Sequence, residues 1–127
     1  MISVLPIRDQ NEVKRLFSDH KLEFGEFSGA VSAMCDGHRL GYCLFELDSK
    51  KMIILQLQPK DDLSLADGIL RSALHNAVCA NVIKAEYNES SPVEIFEKLG
   101  FILSKEEKTL DIMKLFESCH SCNNKNT

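Results

Sequence analysis

The stretch from Lys51 to Ala80 constrains this chain most. It opens on an apolar run, Met52-Ile53-Ile54-Leu55-Gln56-Leu57-Gln58, and passes through a Pro59-Lys60-Asp61-Asp62 turn. Apolar residues then recur at 65, 66, 69, 70, 73, 74, 77 and 78. A run without alternation belongs to a strand covered on both faces, and the later spacing gives a helix of 3.6-residue period one continuous buried side. Ser64 is placed to cap that helix, with Asp67 three positions on, and Asp67 with Arg71 makes a favourable i,i+4 pair. A strand feeding straight into a helix start gathers backbone N–H groups and the positive end of the helix dipole, where an anion can rest.

The flanking segments build a sheet around this unit. Asp36-Gly37 between the apolar runs Gly29 to Cys35 and Leu40 to Leu47 is a strong hairpin signal, and a second turn at Asp48 to Lys51 leads into the central strand. Upstream, Met1 to Ile7 reads as a short strand. Asp9 opens a helix whose stripe is Val13, Leu16 and Phe17 and whose end falls between His20 and Gly25. Phe24 and Phe27 either pin the following loop to the core or line a pocket. Downstream, Val82 to Tyr87 reads as a strand parallel to the central one, because a helical crossover allows a parallel neighbour. Ser91-Pro92-Val93-Glu94 starts a helix with a serine cap and a proline at the first helical position, and Gly100 stops it. Residues 101–103 and 109–113 form a last hairpin. The expected architecture is one α/β domain over residues 1–118, a mixed and mostly antiparallel sheet with helices on both faces. Residues 119–127 make a polar tail expected to fray.

Composition bounds the function. At 127 residues and 44% hydrophobic, the chain supports one core and no second domain. A net charge of −4 argues against nucleic acid and anionic membranes as partners, whose binders carry basic patches. No apolar run is long enough to span a membrane and the N-terminus lacks a signal pattern, so the expected location is the cytoplasm. Five cysteines, mostly inside apolar segments, fit a reducing compartment. Cys35, Cys43 and Cys79 read as small buried hydrophobes. Cys119 and Cys122 are a lone pair in a polar tail, where structural zinc wants four ligands, so no metal is expected.

Two motifs carry a resemblance. Leu55-Gln56-Leu57-Gln58-Pro59 and Phe96-Glu97-Lys98-Leu99-Gly100-Phe101 resemble segments of the GNAT superfamily of acyl-CoA N-acyltransferases, and the likeness extends over nearly the whole chain. Of the family's Arg/Gln-x-x-Gly-x-Gly/Ala turn only Ala66 matches; Asp61 stands where Arg or Gln is usual and Ser64 replaces the first glycine. The resemblance implies a GNAT-like fold, with acetyl-CoA or another acyl-CoA as donor substrate. It implies an amine acceptor on a small molecule or a peptide, and it allows a homodimer. It assigns thioester polarisation to the backbone near Leu57 and Gln58, and pyrophosphate binding to the amides of Leu63, Ser64, Leu65 and Ala66. Lys60 only partly offsets the two turn aspartates, and Phe96 takes the place of the family's tyrosine.

That last exchange removes a proton donor, and Gln56 and Gln58 are not bases near neutral pH. Tyr87 and Glu89 are the replacement candidates, with Glu86, His38 and His75 behind them. Two functions follow: a divergent N-acyltransferase with a reduced catalytic set, or a non-catalytic module keeping the fold for ligand sensing or protein association.

Overall fold

The computed structural model describes residues 2–89 and 91–115. The polar tail, with Cys119 and Cys122, lies outside the described residues. In chain order the elements are β1 (Ser3–Pro6), α1 (Gln10–Asp19), β2 (Ser28–Cys35), β3 (His38–Leu47), β4 (Met52–Gln58), α2 (Leu63–Cys79), β5 (Ala85–Tyr87), α3 (Val93–Leu99), β6 (Ile102–Ser104) and β7 (Thr109–Leu110). The strands form one seven-stranded sheet in the order β1-β2-β3-β4-β5-β7-β6. All its ladders are antiparallel except β4 with β5.

The β2–β3 hairpin closes as its Asp-Gly pair dictates, with positive φ at both Asp36 and Gly37. Strand β4 sits in the middle of the sheet, so both its faces are covered. On one face Met52, Ile54 and Leu57 pack under Ala66, Ile69, Leu70, Ala73, Leu74 and Ala77 of α2, all fully enclosed. On the other, Leu55 and Leu44 meet Val13, Leu16 and Phe17 of α1. Phe24 packs edge-on against Phe17 at 5.8 Å between ring centroids and so pins its loop, whereas Phe27 stays exposed. No described helix is long and apolar enough to cross a membrane.

Several local expectations are corrected. Helix α2 is capped by Asp62, whose carboxylate accepts from Leu65 N at 3.1 Å, and not by Ser64, which lies inside the first turn. Asp67 meets Arg71 at 2.9 Å, the i,i+4 pair the spacing predicts. Strand β5 begins at Ala85 because the Val82 amide bonds back to the Ala77 carbonyl and finishes the helix. Helix α3 starts after Pro92, with no side-chain cap; the Ser91 hydroxyl goes elsewhere. Cys79 is exposed, since position 79 falls off the 66/69/70/73/74/77 stripe, while Cys43 is buried as expected and burial pushes its thiol up.

Candidate active site

Inside the sheet, β4 loses its β5 neighbour along half its length. The β4–β5 ladder pairs Met52 with Ala85, Ile53 with Glu86 and Ile54 with Tyr87, and it ends there. The chain then leaves the sheet. Asn88 N reaches the Ile54 carbonyl at 3.3 Å, and the Ser91 hydroxyl donates to that carbonyl at 2.6 Å. One carbonyl thus closes the ladder with two donors, and residues 55–58 run on beyond the end of β5.

A bulge coincides with this opening. Against β3, Phe45 faces Ile54 and Leu44 faces Gln56, so Leu55 is the inserted residue. Along a regular strand the groups facing β5 would continue from Met52 and Ile54 to residue 56. The insertion moves that role to Leu57. Its amide N–H is held by the chain's own Gln56 Oε1 at 3.2 Å, and the Gln58 side-chain amide donates to the same oxygen at 3.3 Å. Gln56 and Gln58 lie opposite Leu44 and Tyr42 of β3, which places both on the α1 side of the sheet.

Around the opening lie two clefts. Lys60 of the β4–α2 turn and Lys98 of α3 line a cavity of about 300 Å³ with Ser91, Pro92, Val93 and Glu94. On the other side of β4, a cavity of about 290 Å³ is lined by Arg39, Gly41, Tyr42, Gln58 and Pro59. A Cβ on Gly41 would meet the Gln58 carbonyl at 2.4 Å, so only glycine lets β3 approach the end of β4 this closely.

The residues singled out from sequence divide. Gln58 lines the cavity with Tyr42 and Lys60 the cleft with Lys98, whereas the Leu57 side chain is fully enclosed under α2. The Leu63 and Ser64 amides begin α2, but Leu65 N is taken by the Asp62 carboxylate and Ala66 N by the Asp62 carbonyl at 2.9 Å. Of the four donors of the anion cradle, one is therefore already filled by a negative side chain and a second by a backbone carbonyl. Phe96 has no accessible surface; it stacks obliquely on Tyr87 at 5.3 Å between centroids and belongs to the core. Tyr87 is 7% exposed, and Glu89 is a surface carboxylate paired with Lys108 at 3.2 Å. Both line a separate cavity of about 340 Å³ with Glu97 and Lys105. Glu86 is tied to Lys51 at 3.3 Å, His38 is exposed in its hairpin, and His75 lies on the outer side of α2 beside Cys79.

The roles of four polar residues at the opening are not legible in the sequence: Gln56, weighed there only as a base, and Ser91, read there only as a helix cap, whose hydrogen bonds are described above, and the pair His20 and Tyr42. His20 Nε2 and Tyr42 Oη lie 2.6 Å apart, with their rings tilted against one another. Desolvation raises the Tyr42 hydroxyl above the ordinary tyrosine range, helped by the Asp19 carboxylate and opposed by Arg39. Arg39 is itself salt-bridged to Glu12 of α1. No spacing in the sequence joins residues 20 and 42; the sheet does.

With this geometry the chain can be set beside known structures. Its backbone matches a ribosomal-protein-alanine N-acetyltransferase from Brucella melitensis biovar Abortus 2308 with a TM-score of 0.53, at 16% identity over 78% of this chain and 89% of that one. The fold is that of the GNAT N-acetyltransferases. Ard1 from Thermoplasma volcanium gives a TM-score of 0.53 at 10% identity, covering 85% of this chain and 92% of the other. Aminoglycoside 6'-acetyltransferase type Ii gives 0.52 at 12% identity, covering 78% and 81%. No family model matches the sequence, and no curated protein matches it by sequence. The GNAT likeness is thus one of fold.

Proposed function

We propose that the protein transfers an acyl group from acyl-CoA to an amine, with the donor laid along residues 55–58 of β4. The observation that carries this is the Leu57 amide, turned by the Leu55 bulge toward the open side of the strand and bonded to a side-chain carbonyl oxygen. A thioester carbonyl is the same kind of acceptor. On binding, it takes the place of Gln56 Oε1, and the N–H then stabilises the oxyanion that forms as the amine attacks. The Gln56 and Gln58 side chains, released from each other, then bond the donor's amide groups. Lys60 and Lys98 at the mouth supply positive charge for phosphates.

Affinity for the donor is expected to be modest. The Asp62 cap and its neighbour Asp61 put negative charge where a pyrophosphate would meet the start of α2, and Glu94 adds another carboxylate in the cleft with the two lysines. Acetyl-CoA binding of tens of micromolar follows, roughly −6 kcal/mol on the affinity scale. Calorimetry together with a thiol-release assay over a panel of primary amines tests the reading. Saturable binding with amine-dependent release of CoA thiol is expected; no binding up to millimolar acetyl-CoA would overturn it. Phe96→Tyr should add no turnover, because that position faces the core.

A second reading is favoured by one specific pattern: both places meant for the donor, the Leu57 amide and the start of α2, are held by the protein's own Gln56 and Asp62. A non-catalytic module would look this way. Binding of acetyl-CoA without thiol release from any amine would select it.

A further inference from the structure

We propose that Tyr42 is the catalytic base that takes a proton from the acceptor amine, with His20 as the positioning residue that accepts the tyrosine's own proton. The inference rests on the acyl-transfer reading above and supplies the acid–base group that Phe96 cannot. Three observations converge on it. First, Tyr42 is the cross-strand partner of Gln58, so its ring stands beside the last residue of the open half of β4 and on the face opposite α2. Second, Tyr42 and Gln58 line the same open cavity with Arg39 and Gly41, which leaves room for a small primary amine. Third, beside the apolar cluster of Val13, Leu16, Phe17, Leu44 and Leu55, His20 caps the end of α1 and meets the tyrosine hydroxyl.

The polar groups form two sets brought side by side by the sheet register. One pair is His20 Nε2 with Tyr42 Oη; on the strand position opposite Tyr42, the Gln58 amide bonds Gln56 Oε1, which also accepts from the Leu57 N–H. The charged groups facing Tyr42 are Asp19 from the end of α1 and Arg39 from β3, the latter neutralised by Glu12. In the proposed arrangement the hydroxyl donates to His20 Nε2 and keeps lone-pair capacity for an ammonium group in the cavity.

The transfer balances without another reagent. One N–H proton of the ammonium moves to Tyr42 Oη while the Oη–H proton moves to His20 Nε2, giving an imidazolium that returns its proton to solvent. The freed nitrogen lone pair forms the C–N bond at the thioester carbon. The C–S bond breaks with its electron pair on sulfur, and the remaining excess proton on nitrogen ends on the CoA thiolate. The acceptor implied is a primary amine on a slender, unbranched arm, since the cavity is only about 290 Å³ and must also admit the reacting carbon.

The test uses the full chain as wild type, Tyr42→Phe and His20→Gln, with acetyl-CoA as donor and a panel of alkyl monoamines, a polyamine and a peptide with a free α-amine as acceptors. Acetyl-CoA affinity of both variants is expected within about twofold of wild type. Thiol release should fall roughly 100-fold or more in Tyr42→Phe, the scale of general-base help. In His20→Gln it should fall less, with loss of the acidic limb of the kcat/KM pH profile, which a merely structural histidine would not remove. Unchanged thiol release and an unchanged pH profile in the variants overturn the pair's role and leave acyl transfer standing. A wild type that binds no acetyl-CoA, or releases no thiol with any amine, overturns acyl transfer and the pair's role with it. Should Tyr42→Phe fail to fold, the His20→Gln profile decides alone.

Discussion

The two halves of β4 share a strand but not a task. Residues 52–54 are flanked by β3 and β5, and Met52 and Ile54 are fully enclosed under α2. Residues 55–58 keep β3 and lose β5, and here two glutamines interrupt the apolar run. A single inserted residue, Leu55, and a single hydroxyl, that of Ser91 on the Ile54 carbonyl, separate the regimes. A strand can therefore be both the core of a fold and the wall of a site, provided the change occurs where its neighbour departs.

That contrast can be broken by substitution. Ile54→Ala removes a fully enclosed side chain from the α2 face and should cost about 2–5 kcal/mol in urea denaturation. Gln58→Ala should cost less than about 1 kcal/mol, because it gives up one hydrogen bond at a half-buried position. Comparable losses at the two positions would erase the division. Gly41→Ala probes the open half through its neighbour: the new methyl has to displace the Gln58 carbonyl and the Pro59 ring, and a loss of about 1–3 kcal/mol is expected by thermal or urea melting. A neutral effect would mean that the end of β4 is not held against β3.

Much of the closed half was legible in the sequence. The apolar run of β4, the α2 stripe, the Asp36-Gly37 turn and the Asp67–Arg71 pair all act within a few residues, which is the range over which periodicity and turn chemistry operate. The open half was legible only in outline. Asp62 outcompeted Ser64 as the cap because its carboxylate reaches the Leu65 amide from just outside the helix, and Ser91 abandoned its own helix to bond a carbonyl 37 residues away. His20 with Tyr42, and Gln58 with Tyr42, are contacts made by the register of the sheet and leave no local trace. Phe96 misled for the opposite reason: it lies in a recognisable motif, yet its ring faces Tyr87 in the core.

Smaller changes sharpen the boundary. Ser91→Ala leaves the Ile54 carbonyl with the Asn88 amide alone and should cost about 1 kcal/mol. Amide hydrogen exchange at Asn88 should speed up; unaltered exchange would remove Ser91 from the account of how the ladder ends. Tyr42 gives a pH signature by direction. Its folded-state hydroxyl titrates above the ordinary value, so its contribution to stability is complete below about pH 10 and is lost as pH rises through the folded-state value. Melting curves of the wild type should therefore decline more steeply above pH 10 than those of Tyr42→Phe, and parallel curves would contradict the buried, protonated hydroxyl.

The central claim is that the acyl donor occupies the open half of β4, and the most direct measurement follows backbone and side-chain amide resonances of the isotope-labelled protein during titration with acetyl-CoA. The account predicts saturable shifts of the Leu57 N–H and of the Gln56 and Gln58 side-chain amides, with half-saturation at tens of micromolar, while Leu65 and Ala66 N–H, held by Asp62, stay in place. Shifts centred on Leu65 and Ala66 with Leu57 unmoved, or no saturable shift at all, would contradict it.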